Sequence, residues 1–243
     1  MRLAVLFSGG KDSVYAAYLA KLAGDELSCA IVIKSENPDS YMFHTPSIEK
    51  TEKQIELMGV PLLVHGTKGE EERELVDLAD AIGIAKEKYD VEGIVTGALH
   101  SEYQRSRIGK ICDEFGLKSI NPLWHKEEIG YLNELIDAGF DVVVTAVVAY
   151  PLDGSWLGRK IDGKFIEEVS ELKEKYKIHP AGEGGEFETF VLNCPLFSRG
   201  LKVKSFKDSS SGEYSFKREL NLEDFKVNSV RSSQGTSREI EVG

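Results

Sequence analysis

Cysteine is scarce in this 243-residue chain, and its pattern argues against two classes of protein. Cys29, Cys112 and Cys194 lie far apart, are odd in number and form no C-x-x-C pair. Neither a disulfide framework nor a cysteine-based zinc site is supported, and a cytoplasmic location is expected. Cys29 and Cys112 read as small buried hydrophobes. Cys194 stands beside Pro195, near an unusual Gly/Glu stretch, so a reactive role for it is left open. Positive charge is also short. With 30 Lys and Arg against 41 Asp and Glu, the net charge is -11, which disfavours a broad basic nucleic-acid face and makes tRNA a poor partner. No apolar run approaches the roughly 20 residues of a membrane helix, so no membrane partner is expected. The opening MRLAVLF is too short for a signal peptide and reads as a buried first strand. His44, His65, His100, His125 and His179 show no metal-ligand spacing and read as surface or capping residues. No internal repeat is found.

What is present is the composition of an ordinary soluble globular chain, with length enough for one large or two modest cores. The first half alternates short apolar runs with amphipathic stretches. Strands are expected at Leu3–Phe7, Ser28–Ile33, Pro61–Val64, Gly93–Thr96 and Lys118–Ile120. Helices are expected at Ser13–Leu22, from Thr45-Pro46 to about Met58, and at Glu71–Tyr89 and Ser101–Phe115. This rhythm predicts an α/β protein, with a parallel sheet covered by helices on both faces over residues 1–122. A smaller α+β domain is expected over 123–227. It holds helices at Glu127–Ala138 and Phe165–Tyr176, a very apolar strand at Asp141–Val148, and a hairpin pairing Leu201–Lys207 with Tyr214–Leu220. That hairpin offers an edge for a homodimer. Residues 228–243 lack periodic apolar pattern and read as a mobile tail.

The first strand runs straight into Ser8-Gly9-Gly10-Lys11-Asp12-Ser13, and a helix follows. Gly9 and Gly10 let the backbone turn sharply and aim N–H groups at an anion. The helix dipole points its positive end at the same place. Ser8 and Ser13 add hydroxyl donors, and Lys11 neutralises phosphate charge. Asp12 would repel phosphate unless a cation intervenes, so it reads either as a Mg²⁺ contact or as the helix N-cap. The loop matches neither GxxxxGK[ST] nor a GxGxxG following a strand. Its place at the carboxyl end of the first strand is where ligands collect in such sheets. After the fourth strand, Gly97 and Ala98 are small where backbone must approach a ligand. Ser101, Tyr103, Gln104, Arg105 and Arg107 then offer polar contacts from a helix N-terminus.

SGGKDS resembles the pyrophosphate loop of the N-type ATP pyrophosphatases, the PP-loop superfamily. That resemblance implies an adenine nucleotide alpha-hydrolase-like (Rossmann-like) fold, ATP as cosubstrate, Mg²⁺, and cleavage between the α and β phosphates. Three more segments narrow it: the stretch from Thr96 to Arg105, Asn121-Pro122-Leu123-Trp124, and Glu183-Gly184-Gly185-Glu186-Phe187-Glu188-Thr189. Together, over residues 1–197, they resemble the diphthine–ammonia ligase family. The implied activity is an AMP-forming C–N ligation: adenylation of the diphthine carboxylate on a translation elongation factor, then attack by ammonia. No spare segment suggests a glutaminase domain, so free ammonium is the expected donor. Lys11, Arg105 and Arg107 are expected to supply catalytic charge. Adenine is expected on the backbone of Ile31–Ile33. Ser101, Tyr103, Gln104, Trp124, Glu183, Gly184, Gly185, Glu186 and Glu188 are expected around the second substrate. The trimethylammonium of diphthine suggests a cage from Tyr103, Trp124, Trp156 and Phe187 with Glu183, Glu186 and Glu188, although Trp124 and Phe187 read more readily as core. The rival readings are a tRNA-modifying PP-loop enzyme such as a thiolase, which would need Cys194, and an ATP sensor without turnover.

Overall fold

The computed structural model describes residues 1–37, 48–70 and 73–225. His44, Thr45-Pro46, Glu71-Glu72 and the stretch 228–243 therefore lie outside the described residues. Five strands form a parallel sheet: β1 (Arg2–Leu6), β2 (Glu26–Ser35), β3 (Leu62–Thr67), β4 (Gly93–Val95) and β5 (Lys118–Ile120), in the order β3-β2-β1-β4-β5. Between them run α1 (Lys11–Leu22), α2 (Ile48–Met58), α3 (Arg73–Tyr89) and α4 (Glu102–Glu114).

The apolar runs are continuous because both faces of the sheet are buried. Leu3, Val5, Ala30 and Val32 pack with Val14, Ala17 and Ile55 of α1 and α2. The intervening Ala4, Cys29, Ile31 and Ile33 pack with Leu78, Ile82, Ile108 and Cys112 of α3 and α4 on the other face. The chain steps outward from β1 to β2 and β3, then crosses to β4 and β5 on the far side. The order reverses beside β1, so the crevice at its carboxyl end is the ligand position of an open α/β sheet. Residues 8–13 occupy that end.

The second half comprises α5 (Glu128–Asp137), β6 (Asp141–Val147), a 3₁₀ turn (Gly154–Trp156), α6 (Gly163–Tyr176), β7 (Phe187–Asn193), β8 (Gly200–Ser210) and β9 (Phe216–Phe225). Its strands form an antiparallel sheet in the order β7-β6-β9-β8. Tyr131, Val142, Phe165 and Phe190 join the same apolar cluster as Val5 and Val14, so this half packs on the α1 face of the parallel sheet. The α/β core followed by a smaller α+β unit is the predicted class. The hairpin is present, with β8 on the sheet edge. β7 is absent from the sequence reading. It forms because Phe187, Thr189, Phe190, Val191 and Leu192 are all buried, a run that the preceding glycines and glutamates obscure. No helix among the described residues is long and apolar enough to cross a membrane.

Candidate nucleotide and substrate site

At the end of β1 the backbone passes through Gly9 at φ +81, a left-handed conformation that favours glycine. Gly10 then takes the N-cap position of α1 and contributes no side-chain cap. The expected capping role of Asp12 is thereby corrected, since Asp12 lies inside the first turn. Ser8 and Ser13 brace the turn: the Ser8 N–H donates to Ser13 Oγ (3.2 Å), and the two hydroxyls lie 3.1 Å apart. Among the described residues no side chain accepts from the Asp12 or Ser13 N–H. The positive end of α1 thus keeps donors directed at the crevice.

Distant elements fix this loop. Gln54 of α2 is fully buried, and its Nε2 donates to the carbonyls of Gly9 (3.0 Å) and Val191 (2.7 Å). Thr189 Oγ1 accepts from the Lys11 N–H at 3.1 Å. Lys11 is 2% exposed, and its Nζ pairs with Asp12 Oδ2 at 2.9 Å. The second Asp12 oxygen accepts from Tyr131 Oη at 2.8 Å. Burial, then the Asp12 charge, push the Tyr131 phenol well above its ordinary pKa, so it stays a neutral donor. Gly97 has a reason beyond the one read from sequence. A Cβ there would sit 2.6 Å from the Asp12 carbonyl carbon, so what it must admit is the backbone of α1.

The segment ahead of α4 is built differently. Ser101 caps the helix by accepting from the Gln104 N–H (3.3 Å). The N–H groups of Leu99, His100 and Ser101 converge on Glu183 Oε1 at 3.3, 3.0 and 2.9 Å. A concavity of donors that could receive an anion already holds one from the protein itself. Glu186 Oε1 accepts from the His179 N–H at 2.7 Å, while its Oε2 is buried without a hydrogen-bond partner among the described residues. Burial holds the His179 imidazole below its ordinary pKa, against the opposing pull of Glu128, Glu186 and Glu183.

With this geometry in place, the comparisons with known proteins become informative. The sequence model of the diphthamide synthase N-terminal domain matches residues 1–119, and that of the diphthamide synthase C-terminal domain matches residues 125–222. The chain is 34% identical over 266 residues to a Homo sapiens protein named diphthine–ammonia ligase, with 99% of each chain covered. Its Bos taurus counterpart is 33% identical, again with 99% of each covered. This chain belongs to the diphthamide synthase family. Among solved structures, a predicted subunit of tRNA methyltransferase from Methanocaldococcus jannaschii is similar over 80% of this chain and 98% of that one. Its TM-score of 0.40 and 19% identity are too slight to carry an argument.

In this diphthamide synthase family member, the expected site residues separate into two groups. Ser8 to Ser13 gather at the carboxyl end of β1 with Gly97 against them. Ala98 is buried, and its N–H lies 3.4 Å from Thr96 Oγ1. Glu188 and the buried Thr189 follow on β7, which joins the second half to the loop. Glu183 is brought to the loop before α4, as an internal acceptor. Gly184 lies so close to Glu186 that a Cβ would meet Oε1 at 2.8 Å, and Gly185 turns at φ +83. The aromatic cage is not assembled. The guanidinium carbon of Arg105 lies 4.7 Å from the Trp124 ring centre, that of Arg107 3.5 Å from Tyr103, and that of Arg159 4.1 Å from Trp156. Phe187 and Trp156 both pack on Phe165 in the core. Arg105 also pairs with Glu102 at 3.3 Å. β2 extends to Ser35, so Ile33 is not its end, and the Ile31 carbonyl accepts from the Phe7 N–H (2.9 Å). Sequence reasoning missed Gln54, Tyr131 and Thr189 as supports of the loop. Thr189 alone carried a signal, as the last residue of the Gly/Glu motif.

Proposed function

We propose that this chain catalyses the ATP-dependent amidation of diphthine on a translation elongation factor. The carboxylate oxygen attacks the α-phosphorus of ATP and pyrophosphate leaves. Ammonia then attacks the acyl carbon and AMP leaves, giving diphthamide. The observation that carries this reading is the likeness, over 99% of the chain, to relatives named diphthine–ammonia ligase. The geometry supports it with a partner for each charge. The open first turn of α1, with Lys11, Ser8 and Ser13, receives phosphate oxygens. Arg105 and Arg107 supply further positive charge. Glu188, half-buried on β7, offers a carboxylate to the trimethylammonium cation. Asp12 fits Mg²⁺ by its chemistry: its carboxylate is 33% exposed, and both oxygens keep lone pairs beyond their bonds to Lys11 and Tyr131. Such an ion, when bound, neutralises phosphate charge. The protein itself positions the reactants and keeps Tyr131 protonated against Asp12.

The test is incubation with ATP, Mg²⁺, ammonium and a diphthine-bearing elongation factor, with assay of AMP, pyrophosphate and the mass of the modified histidine. Stoichiometric AMP with conversion of acid to amide is expected. AMP release only with tRNA, or ATP binding without turnover in any mixture, would replace this reading by one of its rivals.

A further inference from the structure

Three residues that sequence spacing keeps apart meet beside the Gly/Glu segment. His100 comes from the loop after β4, Glu128 opens α5, and His179 lies in the loop after α6. His100 Nδ1 is 3.3 Å from His179 Nε2. Glu128 Oε1 is 3.5 Å from His179 Nε2 and 4.0 Å from His100 Nδ1. All three ligand atoms lie within 4.8 Å of one another. The expectation that no histidine takes part in a metal-like grouping is therefore corrected by the fold.

We propose that His100 Nδ1, Glu128 Oε1 and His179 Nε2 form a binding site for one divalent transition-metal ion of the zinc class. The argument is geometric. An ion bound tetrahedrally at about 2.0–2.2 Å to nitrogen and oxygen sets its ligand atoms roughly 3.3–3.5 Å apart. Two of the three observed separations already match, and the third closes with a small swing of His100, whose side chain is 32% exposed. Two imidazoles and one carboxylate suit zinc-class ions better than Mg²⁺ or Ca²⁺, which favour oxygen ligands.

The surroundings are those of a supported site. Lys173 Nζ binds Glu128 Oε2 at 3.0 Å, which leaves Oε1 turned to the histidines. In its present tautomer His179 accepts at Nδ1 from the Glu183 N–H, a long bond of 3.4 Å. Ligation through Nε2 moves that ring hydrogen to Nδ1 and gives this bond up. A new acceptor stands close by: Glu186, already bonded to the His179 backbone, has a buried Oε2 with no partner among the described residues. A carboxylate beside a ligating histidine is the usual second support of such sites. The ion would tie the loop before α4 and the start of α5 to the Gly/Glu segment, independently of which substrate the enzyme takes.

Untagged protein, stripped with a chelator and then freed of it, is titrated with Zn²⁺ by calorimetry, and Co²⁺ is used to record visible d–d bands. One equivalent is expected. Loss of a supporting residue alone typically costs about 10–100-fold in affinity, so His100→Ala and His179→Ala are each expected to weaken Zn²⁺ binding by about 100-fold or more. His65→Ala, on β3, serves as the control and leaves binding unchanged. Far-UV circular dichroism of His100→Ala, the more exposed position, guards against a folding artefact. Wild-type protein that takes up no stoichiometric Zn²⁺, or folded His100→Ala that holds it as tightly as wild type, overturns the proposal.

Discussion

Two helices begin on the carboxyl side of the same parallel sheet, and their N-termini have opposite fates. At α1 the cap is a glycine, and the Asp12 and Ser13 N–H groups receive no side chain among the described residues. Just ahead of α4 the N–H groups of Leu99, His100 and Ser101 close on one carboxylate, Glu183, delivered from the other half of the chain. Both are anion sites by construction, since exposed N–H groups and the helix dipole attract negative charge. One is left open to a ligand, while the other is filled by the protein and becomes a joint between its halves. A glutamate within a Gly/Glu motif can therefore act as structure.

The comparison breaks most sharply at Lys11. This side chain is buried, and among the described residues its one ion pair is with Asp12 at 2.9 Å, in the turn that the crevice faces. Lys11→Met keeps the volume and removes the charge. AMP formation should fall about 10²–10³-fold, the loss typical of removing one preorganised charge stabiliser. The thermal midpoint should move little. A variant with near wild-type turnover would mean that α1 is not the phosphate site.

The converse effect belongs to α4. Glu183→Ala leaves three donors without their acceptor, and a hydrogen bond to a charged group contributes about 1.5–3 kcal/mol net, less where water replaces the lost acceptor. A net loss of about 2–3 kcal/mol is expected by denaturant titration. Sulfate should restore part of it in the variant and do less for the wild type, because the emptied nest accepts an anion. Equal sulfate responses in both proteins would show that the α4 donors are not a nest.

Gln54 tests how far the open loop depends on outside support. Gln54→Leu removes the amide that holds the Gly9 and Val191 carbonyls. About 1–3 kcal/mol of stability should be lost, since both carbonyls lose this donor and Gly9 keeps the Val191 N–H at 3.2 Å. The KM for ATP should rise several-fold while kcat changes less, since the loop loses placement and keeps its charge. A fall in kcat alone would assign Gln54 to the chemical step.

How much of this was legible in the sequence follows from distance along the chain. The strand and helix rhythm is local, and Leu3 to Leu6 read as a strand because alternate residues enter two different cores. SGGKDS is six contiguous residues, so the motif and its turn at Gly9 are legible locally even though distant residues brace them. Tyr131 meets Asp12 across 119 positions and Lys11 meets Thr189 across 178, so neither partnership leaves a mark in spacing. The same holds for His100 and His179, 79 positions apart. β7 was hidden for a different reason: glycines and glutamates lead into its apolar run, so the segment reads as a loop motif rather than as a strand. The aromatic positions misled because an aromatic near charged residues suggests a cation site, and the cations present were the protein's own arginines.

The smallest effect is expected at Cys194, and it separates the amidation reading from thiolation. Catalytic sulfur chemistry needs a thiolate, which an electropositive and partly exposed setting provides. Burial instead pushes the Cys194 thiol up to about 12, Cys29 likewise to about 12, and Cys112 to about 11. At pH 8 all three should react slowly with a disulfide reagent in the folded protein and at once after denaturation. Cys194→Ala should cost about 1 kcal/mol for the lost packing and leave AMP formation within about twofold. Loss of all turnover in a folded Cys194→Ala protein would instead place sulfur in the reaction. The open α1 terminus would then serve an adenylation whose acceptor is not diphthine.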